Sequence, residues 1–252
     1  MQPFHRLGRY IITHWMAIHL FFCFIGHLVC TLFNVPRRKA FIAWRGITET
    51  LYNSGARLVI PIVFISALVA VTIEINVNNF LGRYNLQLKA MHLLQNMLTM
   101  DVIPFFIASI LCVQSSFSLM NLDKDKLYQQ PQETLEQYII PTMIGLSLCG
   151  VLLYVYILTT FWLMIYFSIL LYLQIPTTEF FLALVKVLTP MALVYALAKT
   201  LVYAMIASLI LGYYYYQVAV HQISLRLALS RIIARGLFFL ALASLLIKLG
   251  FY

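Results

Sequence analysis

From Ala192 to Gly212 the chain carries a single charge, Lys199, in an otherwise apolar run. At 1.5 Å per residue such a run reaches about 30 Å as a helix, the thickness of a bilayer's hydrocarbon core. This stretch rules out most soluble folds. Within it Ala196, Thr200, Ala204, Ser208 and Gly212 recur every fourth residue. That spacing lays small side chains along one helical stripe, where another helix backbone can come close inside lipid. Tyr195, Lys199 and Tyr203 follow the same period on the neighbouring stripe. Past Gly212 come Tyr213 to Tyr216 and then Arg226, Arg231 and Arg235, the order expected of a membrane interface followed by cytoplasm.

The rest of the chain is of the same kind. Charged residues make up 10% of it and hydrophobic residues 63%, against roughly 25% charged in ordinary soluble domains. The net charge of +9 fits orientation in a membrane and contact with anionic lipid, and no nucleic-acid partner is expected. Cys23, Cys30, Cys112 and Cys149 all lie in apolar runs without a CxxC spacing, so they read as reduced core cysteines. The basic N-terminus and the apolar run after it lack a small-x-small cleavage site and are read as retained.

The hydrophobic pattern predicts an all-α polytopic membrane protein, with N-terminal interfacial or amphipathic helices followed by five transmembrane helices. Residues 1–56 form the N-terminal region and residues 57–252 the five-helix domain. Residues 16–34 approach the length of a span, but Arg6 and Arg9 precede them and Arg37, Arg38, Lys39 and Arg45 follow. Both ends then prefer one side, which favours an interfacial or re-entrant helix. Residues 38–56 read as an amphipathic lead-in with Trp44 at the interface. The spans are expected at about 58–80, 97–120, 138–173, 180–212 with a kink near Pro190, and 232–252. Cytoplasmic placement of residues 1–57 puts Lys124, Lys126, Arg226, Arg231 and Arg235 inside with the N-terminal cations. Arg83, Lys89 and Lys248 are then left outside, with the C-terminus.

Lys199 is the sharpest chemical signal, because a lysine at the centre of a span costs roughly 2.5–3.5 kcal/mol on insertion scales. Two readings follow. It contacts a lipid headgroup or a partner's acid, or it pairs with Asp101 or Glu74 and holds helices together. Enzymatic signatures are missing: there is no GxSxG, no HExxH and no Walker lysine loop. No pair of carboxylates has acid–base spacing, and the scattered histidines suggest no metal site. No catalytic residue and no cofactor is expected in this chain, and any use of ATP belongs to a partner.

Several of these features resemble the MlaE/YrbE permeases, the membrane subunits of lipid-transporting ABC systems that work with MCE-domain proteins. The likeness rests on Leu51-Tyr52-Asn53-Ser54-Gly55 before the first span, on Lys199-Thr200 inside an apolar helix, and on the closing Gly, Ser/Arg-rich turn and last hydrophobic helix. It covers roughly Leu51 to Tyr252. In TMDVIP, Asp101 stands three residues before Pro104, where the family has the acid of an Arg-Glu-Leu-Gly-Pro motif. Met100 replaces that arginine, Ile103 the glycine, and Gln114 stands in place of a later arginine.

The resemblance implies a phospholipid-moving permease of a bacterial inner membrane. Its partners would be an ATPase subunit, an MCE-domain protein, and a second permease copy or paralogue, which together with this chain encloses an apolar cavity. Lys199, Tyr195, Tyr203, Asp101 and Glu74 are the candidate substrate contacts. Residues 121–137 fall where the family has its coupling helix, which makes Leu127, Tyr128, Glu133 and Leu135 the candidate ATPase contacts. Two other classes stay open: a membrane-embedded lipid-modifying enzyme, and a non-catalytic assembly or scaffold subunit.

Overall fold

A computed structural model describes residues 15, 18–31, 44–82, 96–120, 135–168, 170–171, 177–220 and 223–250. These are helical almost throughout, and no strand occurs among them. In hydrocarbon no water meets the backbone N–H and C=O groups, so the ladder must be satisfied within each helix. Among the described residues eight α-helices follow one another. They are α1 (Ile18–Thr31), α2 (Trp44–Leu51), α3 (Arg57–Gly82), α4 (Ile103–Met120), α5 (Ile140–Ser168), α6 (Thr177–Val187), α7 (Pro190–Ala219) and α8 (Leu225–Gly250). Among the described residues five stretches are long and apolar enough to cross a membrane: Trp44–Asn76, Leu98–Phe117, Gln137–Ser168, Pro190–Ala219 and Leu225–Gly250. Helix α1 is apolar but reaches only about 21 Å, short of a crossing.

Among the described residues, π-helical turns lead into three of these helices: Tyr52–Ala56 before α3, Leu98–Val102 before α4 and Leu135–Ile139 before α5. Each precedes a proline: Pro61 inside α3, Pro104 and Pro141 at the second position of α4 and α5. A proline ring collides with the carbonyl four residues back and removes one donor. A wider turn moves that carbonyl away, which accounts for the turns before Pro104 and Pro141. The expected kink near Pro190 is instead a full break. Helix α6 ends at Val187, Thr189 takes an extended backbone, and its side-chain oxygen accepts a hydrogen bond from the Ala192 amide at 3.3 Å. Pro190 opens α7 at the one position where its missing N–H costs nothing.

The core is a bundle in which α7 packs on α4, α5 and α8, while α8 also packs on α4 and α3 lies along α5. The small-residue stripe of α7 faces this core: Ala196, Thr200, Ala204, Ser208 and Gly212 are all buried. Its closest approach is at Gly150 of α5, where an added Cβ would stand 3.0 Å from the Ala204 Cβ. Hydroxyls in the helices return their protons to the preceding turn, as Thr200 does to the Ala196 carbonyl at 2.8 Å and Ser208 to Met205 at 2.8 Å. These hydroxyls are thereby satisfied without water.

The run Tyr213 to Tyr216 is helical and mostly packed inside the protein. Helix α7 continues through them to Ala219, and Tyr214, Tyr215 and Tyr216 are buried. Helix α1 covers this end. Its Phe21 and Phe24 rings meet Tyr213 edge-on at 5.4 and 6.0 Å, and Phe24 and His27 meet Tyr216 at 5.6 and 6.2 Å. Phe24 would also stand 3.2 Å from a Cβ on Gly212, so the last small residue of the stripe makes room for α1.

Candidate functional site

A three-residue ion cluster joins α7, α8 and the turn before α4. The Lys199 ammonium donates to Asp101 Oδ1 at 2.5 Å, and the Lys248 ammonium lies 2.9 Å from Asp101 Oδ2. The side chain of Lys199 is 2% exposed, that of Asp101 24% and that of Lys248 51%, so the cluster opens from a buried lysine to an accessible one. Of the two acids that could pair with Lys199, the structure selects Asp101. Breaking such a pair would leave an unmatched charge in a low-dielectric interior, which is the main reason the pair ties helices together.

Local structure places each member. Asp101 lies in the π-helical turn Leu98–Val102, and the Tyr154 hydroxyl of α5 donates to the Thr99 carbonyl of that turn at 3.5 Å. Lys199 sits nine positions after Pro190, about 14 Å along α7 from its start. Tyr195 and Tyr203 flank it one turn before and one turn after, with their ring centroids 5.9 and 6.0 Å from Nζ. At these distances each ring face attracts the ammonium. Tyr203 is fully buried, and its hydroxyl has no hydrogen-bond partner among the described residues. Tyr195 is half-buried. Lys248 is two residues from the end of α8, so all three charges gather at the end of the bundle where α7 begins and α8 finishes.

Glu74 stands apart from the cluster. It is 7% exposed, on α3, and neither carboxylate oxygen makes a hydrogen bond of good geometry among the described residues. The Ser168 side chain at the end of α5 is a polar neighbour of its carboxyl group. Leu127, Tyr128 and Glu133 fall outside the described residues. Leu135 begins the π-helical turn Leu135–Ile139, with its side chain outside them too.

Lys248 was not singled out by the sequence. In the fifth span it reads as one more basic residue near a helix end. The available signal was its level, since the end of the last span and the start of the second share one membrane side whenever five spans alternate. Among the described residues the cluster sets two ammonium groups around one carboxylate, and it contains no nucleophile with a base beside it. Among the described residues no three His, Cys, Asp or Glu side chains gather as metal ligands.

No curated protein matches the sequence significantly. The family model described as Permease MlaE matches residues 47–249, a span that takes in all five membrane-length stretches almost entirely and every member of the ion cluster. The chain belongs to the MlaE permease family.

Proposed function

We propose that this chain is the membrane subunit of an ABC-type transporter that moves phospholipid between a bacterial inner membrane and an MCE-domain partner. The observation that carries the reading is the family match over residues 47–249. The ammonium groups of Lys199 and Lys248 around Asp101 are compatible with it, because a lipid phosphate is the anion an ammonium would meet in a membrane. Lys248 and Asp101 would offer the accessible contact, with Lys199 and its flanking Tyr195 and Tyr203 behind them. Glu74 would add a second, acidic contact at the α3–α5 edge, where an ammonium headgroup could be received. Lipid tails require apolar walls, and a second permease copy or a paralogue would complete the cavity.

The energy comes from a separate ATPase, docked on residues 121–137. Replacing Leu127, Tyr128 and Leu135 together with polar residues is expected to leave insertion intact, to release the co-purifying ATPase, and to abolish ATP-driven transfer of fluorescent phospholipid. The measurement is pull-down of the ATPase followed by transfer in reconstituted vesicles. Normal ATPase retention and transfer in the triple variant would place the contact elsewhere.

Orientation follows from the basic bias described above, with residues 1–57 cytoplasmic and the C-terminus periplasmic. A reporter active only in the cytoplasm should be silent when fused after Tyr252, and one active only in the periplasm should be active there. The opposite pattern would invert the assignment.

A further inference from the structure

The accessible half of the ion cluster lies where lipid headgroups lie. Helix α8 has 26 residues, about 39 Å, against about 30 Å of hydrocarbon, so its ends reach past the apolar core. Lys248, two residues from the C-terminal end, falls in the headgroup layer. Asp101 is the fourth residue of the stretch Leu98–Phe117 and meets Lys248 at that level. The two oxygens of Asp101 hold unequal partners. Oδ1 takes Lys199, whose side chain is 2% exposed and whose ammonium stands 5.9 and 6.0 Å from the Tyr195 and Tyr203 ring centroids. Oδ2 takes Lys248 at 2.9 Å, with 51% of that side chain open. Burial fixes the inner pair. The outer pair is a half-solvated contact of two charges, which is worth little by itself and exchanges readily.

An ethanolamine phospholipid carries the same two kinds of charge, an ammonium and a phosphate joined by a short carbon link. Such a headgroup can enter between Lys248 and Asp101. Its ammonium donates to Asp101 Oδ2 in place of Lys248, and its phosphate accepts from the released Lys248 ammonium. One ion contact becomes two, and the site gains no net charge, whatever other groups surround it. A trimethylammonium has no N–H to give Oδ2. The Tyr195 and Tyr203 rings, whose faces attract such cations, are engaged by Lys199. A glycerol headgroup brings its phosphate alone, and drawing Lys248 to it leaves Oδ2 beside a second anion, a costly juxtaposition of like charges.

We propose, resting on the transport reading above, that Asp101 and Lys248 select cargo by its headgroup. They take phospholipids whose ammonium keeps an N–H, such as phosphatidylethanolamine, over phosphatidylcholine and phosphatidylglycerol. Lys248 binds the phosphate and Asp101 Oδ2 the ammonium. Lys199 stays on Oδ1 between its two tyrosines and keeps the carboxylate oriented.

The test titrates the full-length chain in detergent with phospholipids of identical acyl chains and counts the first bound lipid by native mass spectrometry. The wild-type chain is expected to bind phosphatidylethanolamine about three- to tenfold more tightly than phosphatidylcholine or phosphatidylglycerol, the scale of one charge-assisted hydrogen bond at a half-exposed site. The N,N-dimethyl headgroup keeps an N–H and should keep most of the preference. Asp101→Asn with Lys199→Met leaves no buried charge unmatched and should bring the ethanolamine-to-choline ratio close to one. Lys248→Gln should keep that ratio and weaken phosphatidylglycerol most, because a phosphate is all that lipid offers the pair. The dimethyl headgroup and Lys248→Gln decide the matter if the double variant does not accumulate. Equal binding of the three lipids by the wild-type chain would overturn the proposal, as would an unchanged ratio in the double variant. Loss of the ratio in Glu74→Gln alone would move the ammonium to α3 and overturn it too. Displacement of bound lipid by an equal concentration of soluble glycerophosphoethanolamine would mark a site for a free zwitterion instead. ATP-driven transfer by the assembled complex is measured separately. A headgroup preference without transfer would uphold the lipid site and sink the transport reading, whereas transfer without a preference would sink this assignment alone.

Discussion

Replacing Asp101 with Ala will destabilise the protein more than replacing Lys199 with Met, although both break the same contact. Without Asp101 the Lys199 ammonium, 2% exposed, has no anion left among the described residues. Breaking a buried pair in this way costs about 3 kcal/mol, the low end of the usual range because the Asp101 side chain is 24% exposed. Lys199→Met leaves Asp101 with Lys248 at 2.9 Å, and the loss falls to about 1 kcal/mol, one hydrogen-bonded contact. The double variant Asp101→Leu with Lys199→Met should recover most of the stability, because no buried charge remains unmatched. Thermal unfolding in detergent, read as a double-mutant cycle, measures the coupling. Equal losses in the two single variants would mean that Lys248 does not hold Asp101. Transport separates holding from handling: a stable double variant that moves no lipid assigns the cluster to substrate, and one that moves lipid normally makes it a structural tie.

The second large effect is expected at the crossing of α7 and α5. Ala204 is 1% exposed, and its Cβ stands 3.0 Å from where a Cβ on Gly150 would be. Association in lipid rests on close packing and weak polar contacts, with no hydrophobic drive between helices. Ala204→Leu must therefore push the two backbones apart, and overpacking of this kind costs about 1–3 kcal/mol before the loss of neighbouring contacts is added. Ser208→Leu should act in the same direction from one turn further along. Val202→Leu, at a side chain 42% exposed, serves as the control and should change little. Cysteine cross-linking between α5 and α7, with the thermal midpoint, reports the separation. Unchanged cross-linking and stability in Ala204→Leu would show that the crossing has slack.

Much of this architecture was visible in the sequence, because lipid makes its rules severe. A helix must be apolar for the length of a crossing, and small residues must mark its close contacts. Hence the spans and the stripe Ala196 to Gly212 could be read directly. The Lys199–Asp101 pair could be read as one of two choices, since charge cost demands an acid but not a particular one. What escaped depends on distant chain or on hydrogen-bond geometry. Tyr213 to Tyr216 read as an exposed aromatic run until α1, nearly two hundred residues earlier in the chain, packs over that end. Pro190 looks like a kink until the Thr189 cap makes it the start of a separate helix. The π-helical turns leave no trace in hydropathy, and so the position of Asp101 on a wide turn could not be foreseen.

Those wide turns also bear on how length changes can be absorbed. A π-helical turn is an α-turn with one residue added, so dropping one residue from Leu98–Val102 or Leu135–Ile139 would restore ordinary winding and leave the span beyond it on its original face. The same deletion in the middle of α4 or α5 would rotate one half of the span against the other by about 100°, carrying buried side chains into lipid. Relatives that differ by single residues should therefore have their gaps at the membrane entries, and single-residue deletions should be better tolerated there than a few positions further in.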